Sequence, residues 1–254
     1  MITINTSFSK KLVIKMAFSA IIMALCIVFM KVIPIEIPGL PFLRISLGPA
    51  LIIFGSILLG PVWGMLIGAG ADALGFLLDR SGFLYMPGIT ILYGLLGFCA
   101  WFVFKAFMII KNKQTLNVVF LMAIFMIVFV TISSIFRTDS FRYSGIEYEF
   151  TASVKWIASS IVFGLAVILS LFVLLFSRWH QKRNGTSLNV VRIALVSMVL
   201  EVVLITIFGA FVKSVQFGMD FRVVVLIQSL LFFINVPVNT FMIVVLHRVV
   251  PRFA

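Results

Sequence analysis

Few residues in this chain are equipped for chemistry, and their placement narrows what that chemistry is. Asp72 and Glu201 are the acids set deep inside apolar stretches. An acid in hydrocarbon can carry a proton, hold a substrate or bond helices together, and it is costly unless it faces protein or water. The two histidines, His180 and His247, stand at the ends of apolar segments, and the two cysteines, Cys26 and Cys99, lie within them without CxxC spacing. No HExxH, phosphate-binding lysine loop or GxSxG is present, so the sequence offers no hydrolytic or nucleotide-binding signature and calls for no cofactor or metal.

A second set of residues clusters by position. Arg44 and Ser46 follow a proline-rich stretch. Phe83, Tyr85, Pro87 and Gly88 form an aromatic turn, and Lys213, Asp220 and Arg222 flank the last turn. Cations beside aromatic rings suit a flat, anionic ligand, because guanidinium pairs with carboxylate while a ring covers a planar face. They equally suit ordinary interfacial anchors with long stems along the lipid. Gln228 and Asn235 share one face of the last segment, with Pro237 just beyond.

The elements that must position these groups are membrane-spanning helices. Of 254 residues, 63% are hydrophobic and 11% charged, where soluble domains carry about a quarter charged residues. No strand alternation of a barrel is visible, so helices must satisfy the backbone in lipid. About eight apolar segments are expected, at 12–33, 44–60, 62–79, 86–109, 116–136, 154–178, 189–212 and 222–248; the second and third are short and glycine-rich. The chain reads as an all-α, polytopic membrane protein, one transmembrane domain over 1–254, with no cleavable signal peptide.

Charge sets the orientation. Lys10, Lys11, Lys15, Lys111, Lys113, Lys182 and Arg183 fall at alternate ends that hold no acid, whereas Glu36, Asp79, Asp139, Glu147, Glu149 and Asp220 all fall at the opposite ends. The positive-inside rule therefore puts both termini in the cytoplasm. The net charge of +12 is a topology signal and an attraction to lipid headgroups, and no nucleic-acid partner is expected.

Small residues mark expected helix contacts. Gly60, Gly64 and Gly68 repeat every four residues, and Asp72 continues the stripe, which is read as a close helix seam with Asp72 hydrogen-bonding across it. Ala17, Ala20 and Ala24 form a second stripe, suited either to packing within the chain or to docking another membrane protein. The stretch 31–46, with Pro34, Pro38 and Pro41, is expected to be extended and stiff.

The block FLRISLGPALIIFGSILLGPVWGMLIGAGADALGFLLDRSGFLYMPGITILYGLLGF, 42–98, resembles the substrate-binding S components of energy-coupling-factor (ECF) vitamin transporters, in particular the folate-type group. The matching pieces are Phe42 to Ile45, Gly60-Pro61, Gly70 to Gly75 and Met86 to Thr90, with Arg222 opening and Pro237 within the last span. The resemblance implies a six-helix bundle in the cell membrane that captures a vitamin from outside. It also implies a membrane T component and two ATPases as partners, which agrees with the missing nucleotide motif.

On this reading the vitamin is folate, held by Arg44, Ser46, Phe83, Tyr85, Pro87, Gly88, Arg222 and Gln228. Ala17, Ala20 and Ala24 dock the T component. Gly60, Gly64, Gly68 and Asp72 pack helices and bind no ligand. The core is 1–110 with 187–254, and 112–186 is an inserted helical hairpin. Alternatives are another vitamin, such as pantothenate or a queuosine precursor, an autonomous proton-linked transporter using Asp72 or Glu201, or a scaffold that binds no small ligand.

Overall fold

The computed structural model describes residues 6–32, 35–37, 40–78, 85–138, 140–143, 146–149, 151–184, 190–218 and 220–249. Helix α1 (Thr6–Ile27) runs on into a π-helical segment, Val28–Val32. Strands β1 (Ile35–Ile37) and β2 (Leu40–Ile45) follow, then α2 (Gly48–Leu59), α3 (Pro61–Phe76), α4 (Pro87–Met108) and α5 (Lys113–Arg137). Strands β3 (Ser140–Tyr143) and β4 (Ile146–Glu149) lead to α6 (Ala152–Asn184). The last rods are α7 (Val190–Leu200), which continues through a second π-helical segment, Glu201–Phe208, into α8 (Gly209–Phe217), and α9 (Phe221–Val249).

Among the described residues, six helices are long and apolar enough to cross a membrane, and the chain is a multi-pass helical membrane protein. The expected second and third spans are α2 and α3, of 12 and 16 residues. Each falls short of the ~20 residues that cross ~30 Å of hydrocarbon. Their junction explains why they stay separate. Gly60 ends α2 and precedes α3 with φ 106, in the left-handed region that L side chains rarely adopt. Pro61 then opens α3 at the one position where a helix tolerates the missing N–H.

The stretch read as stiff and extended is a hairpin. β1 and β2 pair antiparallel, with Glu36 opposite Arg44 and an irregularity at Glu36/Ile37. A two-stranded ribbon has only edges, so Pro41 sits in it without breaking an inner ladder. A second hairpin, β3–β4, sets Arg142 opposite Glu147. These ribbons are the additions to an otherwise helical fold.

The chain forms two compact units, Met1–Val103 and Phe104–Ala254, with the boundary inside α4. In the first, α1, α2 and α3 pack on one another, and α2 is buried along nearly its whole length. Lipid gives no hydrophobic drive for this association, so it depends on close fit. Gly64 and Gly68 of α3 supply that fit, because they lie against the backbone of α4. A Cβ on Gly64 would stand 2.5 Å from the Gly97 carbonyl oxygen, and one on Gly68 would strike the Tyr93 carbonyl.

In the second unit the core draws on four helices. Leu116, Phe120, Ile124 and Val128 recur every fourth residue on α5, and Val162, Ala166, Leu169 and Val173 face them from α6. Val191, Ala194 and Leu195 of α7 and Phe232, Phe233 and Val236 of α9 complete the cluster. Phe125 and Phe129, on the opposite face of α5, are exposed, as a helix against lipid should be. The α5–α6 pair is thus a wall of this unit's core.

Candidate functional site

In the first unit, a run of polar side chains leads from an exposed tyrosine to a buried ion pair. Asp72 on α3 is 4% exposed. Its Oδ1 lies 3.2 Å from Lys31 Nζ, and its Oδ2 accepts a 2.6 Å hydrogen bond from the Thr90 hydroxyl in the first turn of α4. Thr90 Oγ1 in turn stands 2.8 Å from the hydroxyl of Tyr85, which is 40% exposed. The Tyr85 ring is braced by Phe76, centroid to centroid 5.2 Å.

Lys31 stands at the end of the first apolar segment, where a cation usually reaches for headgroups, yet its amine turns to Asp72. Two local features carry it there. The π-helical segment Val28–Val32 inserts extra residues per turn and so rotates the end of α1 relative to an α-helical continuation. Gly75 lies one turn beyond Asp72, and a Cβ there would come within 2.9 Å of Lys31 Cγ, so the bare glycine makes room for the lysine stem. Charges buried together in this way are tolerated because each is paired.

The second unit holds another polar group around its own π-helical segment. Glu201 opens that segment, is 2% exposed, and accepts a 2.6 Å bond from Asn235 Nδ2 on α9. Gln228, 3% exposed and on the same helix, donates its amide N–H groups to the Ile205 and Thr206 carbonyls at 2.6 and 2.8 Å. Its amide oxygen accepts from Lys213 Nζ at 2.7 Å. A wider helical turn leaves carbonyls poorly matched to their usual donors, and the glutamine supplies replacements. The structure therefore places Gln228 in the interior, with its amide engaged by the neighbouring rod.

Two cations serve as helix caps in this unit. Arg192 donates from Nε to the Phe107 carbonyl at 3.0 Å and from Nη2 to the Ile110 carbonyl at 2.9 Å, at the end of α4. Lys155 Nζ reaches the Phe136 carbonyl at the end of α5 at 3.2 Å. Positive charge at helix C-termini satisfies orphan carbonyls and complements the dipole. Neither role has a sequence signal beyond a cation near a helix start.

The remaining residues singled out from sequence are spread over the chain. Ser46 is half-buried just before α2, and Pro87 and Gly88 form the start of α4 beside Tyr85. Arg222 is exposed at the start of α9, where its backbone N–H donates to Asp220 Oδ1 at 2.8 Å, so Asp220 caps that helix. Phe83 and the side chain of Arg44 lie outside the described residues. Ala17, Ala20 and Ala24 are all exposed, among the exposed Met16, Ile21 and Leu25, on the face of α1 opposite the buried Ile22, Cys26 and Met30.

Taken with the fold, these sites define a helical membrane protein in which Asp72 is ion-paired with Lys31 and Glu201, Arg192 and Lys155 each have a hydrogen-bond partner. A family model described as "ECF-type riboflavin transporter, S component" matches residues 10–178, about two thirds of the chain, and the chain belongs to that family. Membership makes it a transporter subunit and not an enzyme, and implies a vitamin ligand with T-component and ATPase partners. The matched residues, 10–178, include α5 and most of α6. No curated protein and no solved structure matches the chain.

Proposed function

We propose that this chain is the vitamin-capturing subunit of an ATP-driven importer and that its ligand is riboflavin. The family match over 10–178 is the observation that carries the reading, since the family's description names that vitamin. The aromatic turn at Tyr85, braced by Phe76, supports it, because a flavin presents a flat ring system that aromatic side chains cover well. The exposed stripe Ala17, Ala20 and Ala24 is the proposed docking face for the T component, where small residues let a partner helix approach closely. The charge bias of the connecting segments favours cytoplasmic termini, with the α3–α4 connection outside.

Folate is the second reading. Arg44 and Arg222 favour it, because folate carries carboxylates and riboflavin carries none, as do the motif pieces between Phe42 and Thr90. The two are separated by purifying the chain in detergent and titrating it with each vitamin. Quenching of flavin fluorescence at one riboflavin per chain, with folate failing to compete, is the expected result. Tight folate binding without flavin quenching would reverse the assignment. Binding of neither would remove the vitamin-capture reading.

A further inference from the structure

We propose that Asp72 and Thr90 are positioning residues that fix Tyr85 as a hydrogen-bond acceptor toward the bound vitamin, so that the site selects ligands presenting an N–H or O–H at that point. The inference rests on the reading that Tyr85 faces the ligand.

The direction follows from counting protons along the run. A carboxylate paired with an ammonium group can only accept, so Asp72 receives from Lys31 on Oδ1 and from Thr90 on Oδ2. A threonine hydroxyl has one proton, and here it is committed to Asp72 at 2.6 Å. The 2.8 Å contact between Thr90 Oγ1 and Tyr85 Oη must therefore be made by the tyrosine's proton. That leaves Tyr85 Oη with lone pairs and no proton to offer, whatever else it meets. Phe76 against the ring, and the turn that leads from Tyr85 into α4, hold the phenol where this polarity has a fixed direction. A buried charge pair thus sets the donor–acceptor sense of an exposed group two hydrogen bonds away.

A ligand with N–H or O–H groups on a flat ring or a hydroxylated chain meets this requirement, and riboflavin has both. The test uses full-length protein in detergent with Tyr85→Phe, Thr90→Val, Thr90→Ser and Asp72→Asn, each titrated with riboflavin. Two analogues are titrated alongside: N3-methylriboflavin, which lacks the ring N–H, and lumiflavin, which lacks the hydroxylated chain. In the unsubstituted protein one analogue binds about tenfold or more weaker than riboflavin, the scale of one lost hydrogen bond. In Thr90→Val and Asp72→Asn that ratio falls toward one, and Thr90→Ser keeps it.

A merely structural role for Thr90 would lower the melting temperature and leave the ratio unchanged, and this would overturn the proposal. Thr90→Val supplies the answer if Asp72→Asn does not fold. Equal binding of all three flavins to the unsubstituted protein would also overturn it. If Tyr85→Phe binds riboflavin normally, Tyr85 does not face the ligand, and the site reading fails with the proposal. If Tyr85→Phe weakens binding while Thr90→Val does not alter the ratio, the site stands and the polarity inference falls.

Discussion

Lys31 and Asp72 form an ion pair of 3.2 Å between the π-helical end of α1 and the C-terminal part of α3, with both side chains largely removed from solvent. The pair ties the end of α1 to α3, beside the packing of Met23 and Ile27 of α1 against Gly70 and Gly75 of α3. Its surroundings give each charge a partner, which is the condition under which lipid-embedded charges persist.

Removing one partner leaves the other uncompensated. Lys31→Ala or Asp72→Ala is expected to destabilise the folded protein by about 3–5 kcal/mol, whereas the double substitution loses much less than the sum. Thermal unfolding of the four proteins in one detergent provides the cycle. Additive losses would show that the two groups do not interact energetically.

The glycines divide by mechanism. Gly68→Leu drives a side chain into the Tyr93 carbonyl, a backbone atom that cannot move aside, so folded protein should be lost. Gly60→Ala meets open space but must hold φ 106, and about 1–3 kcal/mol of strain is expected. Gly164 on α6 also faces open space with ordinary helical backbone, and Gly164→Ala should be neutral or stabilise by about 1 kcal/mol. The order of melting temperatures checks all three.

Arg192 gives a sharper contrast between charge and geometry. Arg192→Lys keeps the charge but has no planar fork to span the Phe107 and Ile110 carbonyls. It should be destabilised nearly as much as Arg192→Gln, by about 3 kcal/mol or more on the scale of two charge-assisted hydrogen bonds. Full stability in the lysine variant would show that the charge alone suffices.

Much of this architecture was legible because lipid restricts the choices. Apolar runs near 20 residues located the rods, Gly60-Pro61 marked the break between α2 and α3, and the four-residue spacing of Gly64, Gly68 and Asp72 indicated a close seam. The π-helical segments were not legible. Their wider turns are held by partners remote in sequence, Asp72 for Lys31 and α9 for the Glu201 segment, and no local residue pattern announces them. Lys31 and Lys213 stand near segment ends, where cations usually reach for headgroups, so position alone does not point them inward. The hairpin at 35–45 escaped because prolines argue against strands in general, and only the absence of an inner strand makes Pro41 acceptable. The ligand is the part least readable from residues, since cations and rings accommodate several flat vitamins.

The docking stripe separates capture from delivery. Ala20→Leu enlarges an exposed position on α1 without touching the buried face at Ile22 and Cys26. Vitamin binding in detergent should be unchanged, while uptake in cells that express the T component and ATPases should fall by about tenfold or more, the effect of losing at least 1.4 kcal/mol at a helix interface. Normal uptake would move the docking face elsewhere.

The central claim, that this chain captures a vitamin and leaves energisation to partners, is tested most directly by reconstitution. Proteoliposomes holding the chain alone should bind riboflavin but accumulate none inside, with or without a pH gradient, and should accumulate it once the T component, ATPases and ATP are added. Accumulation by the chain alone under a pH gradient would contradict the account and make it an autonomous transporter.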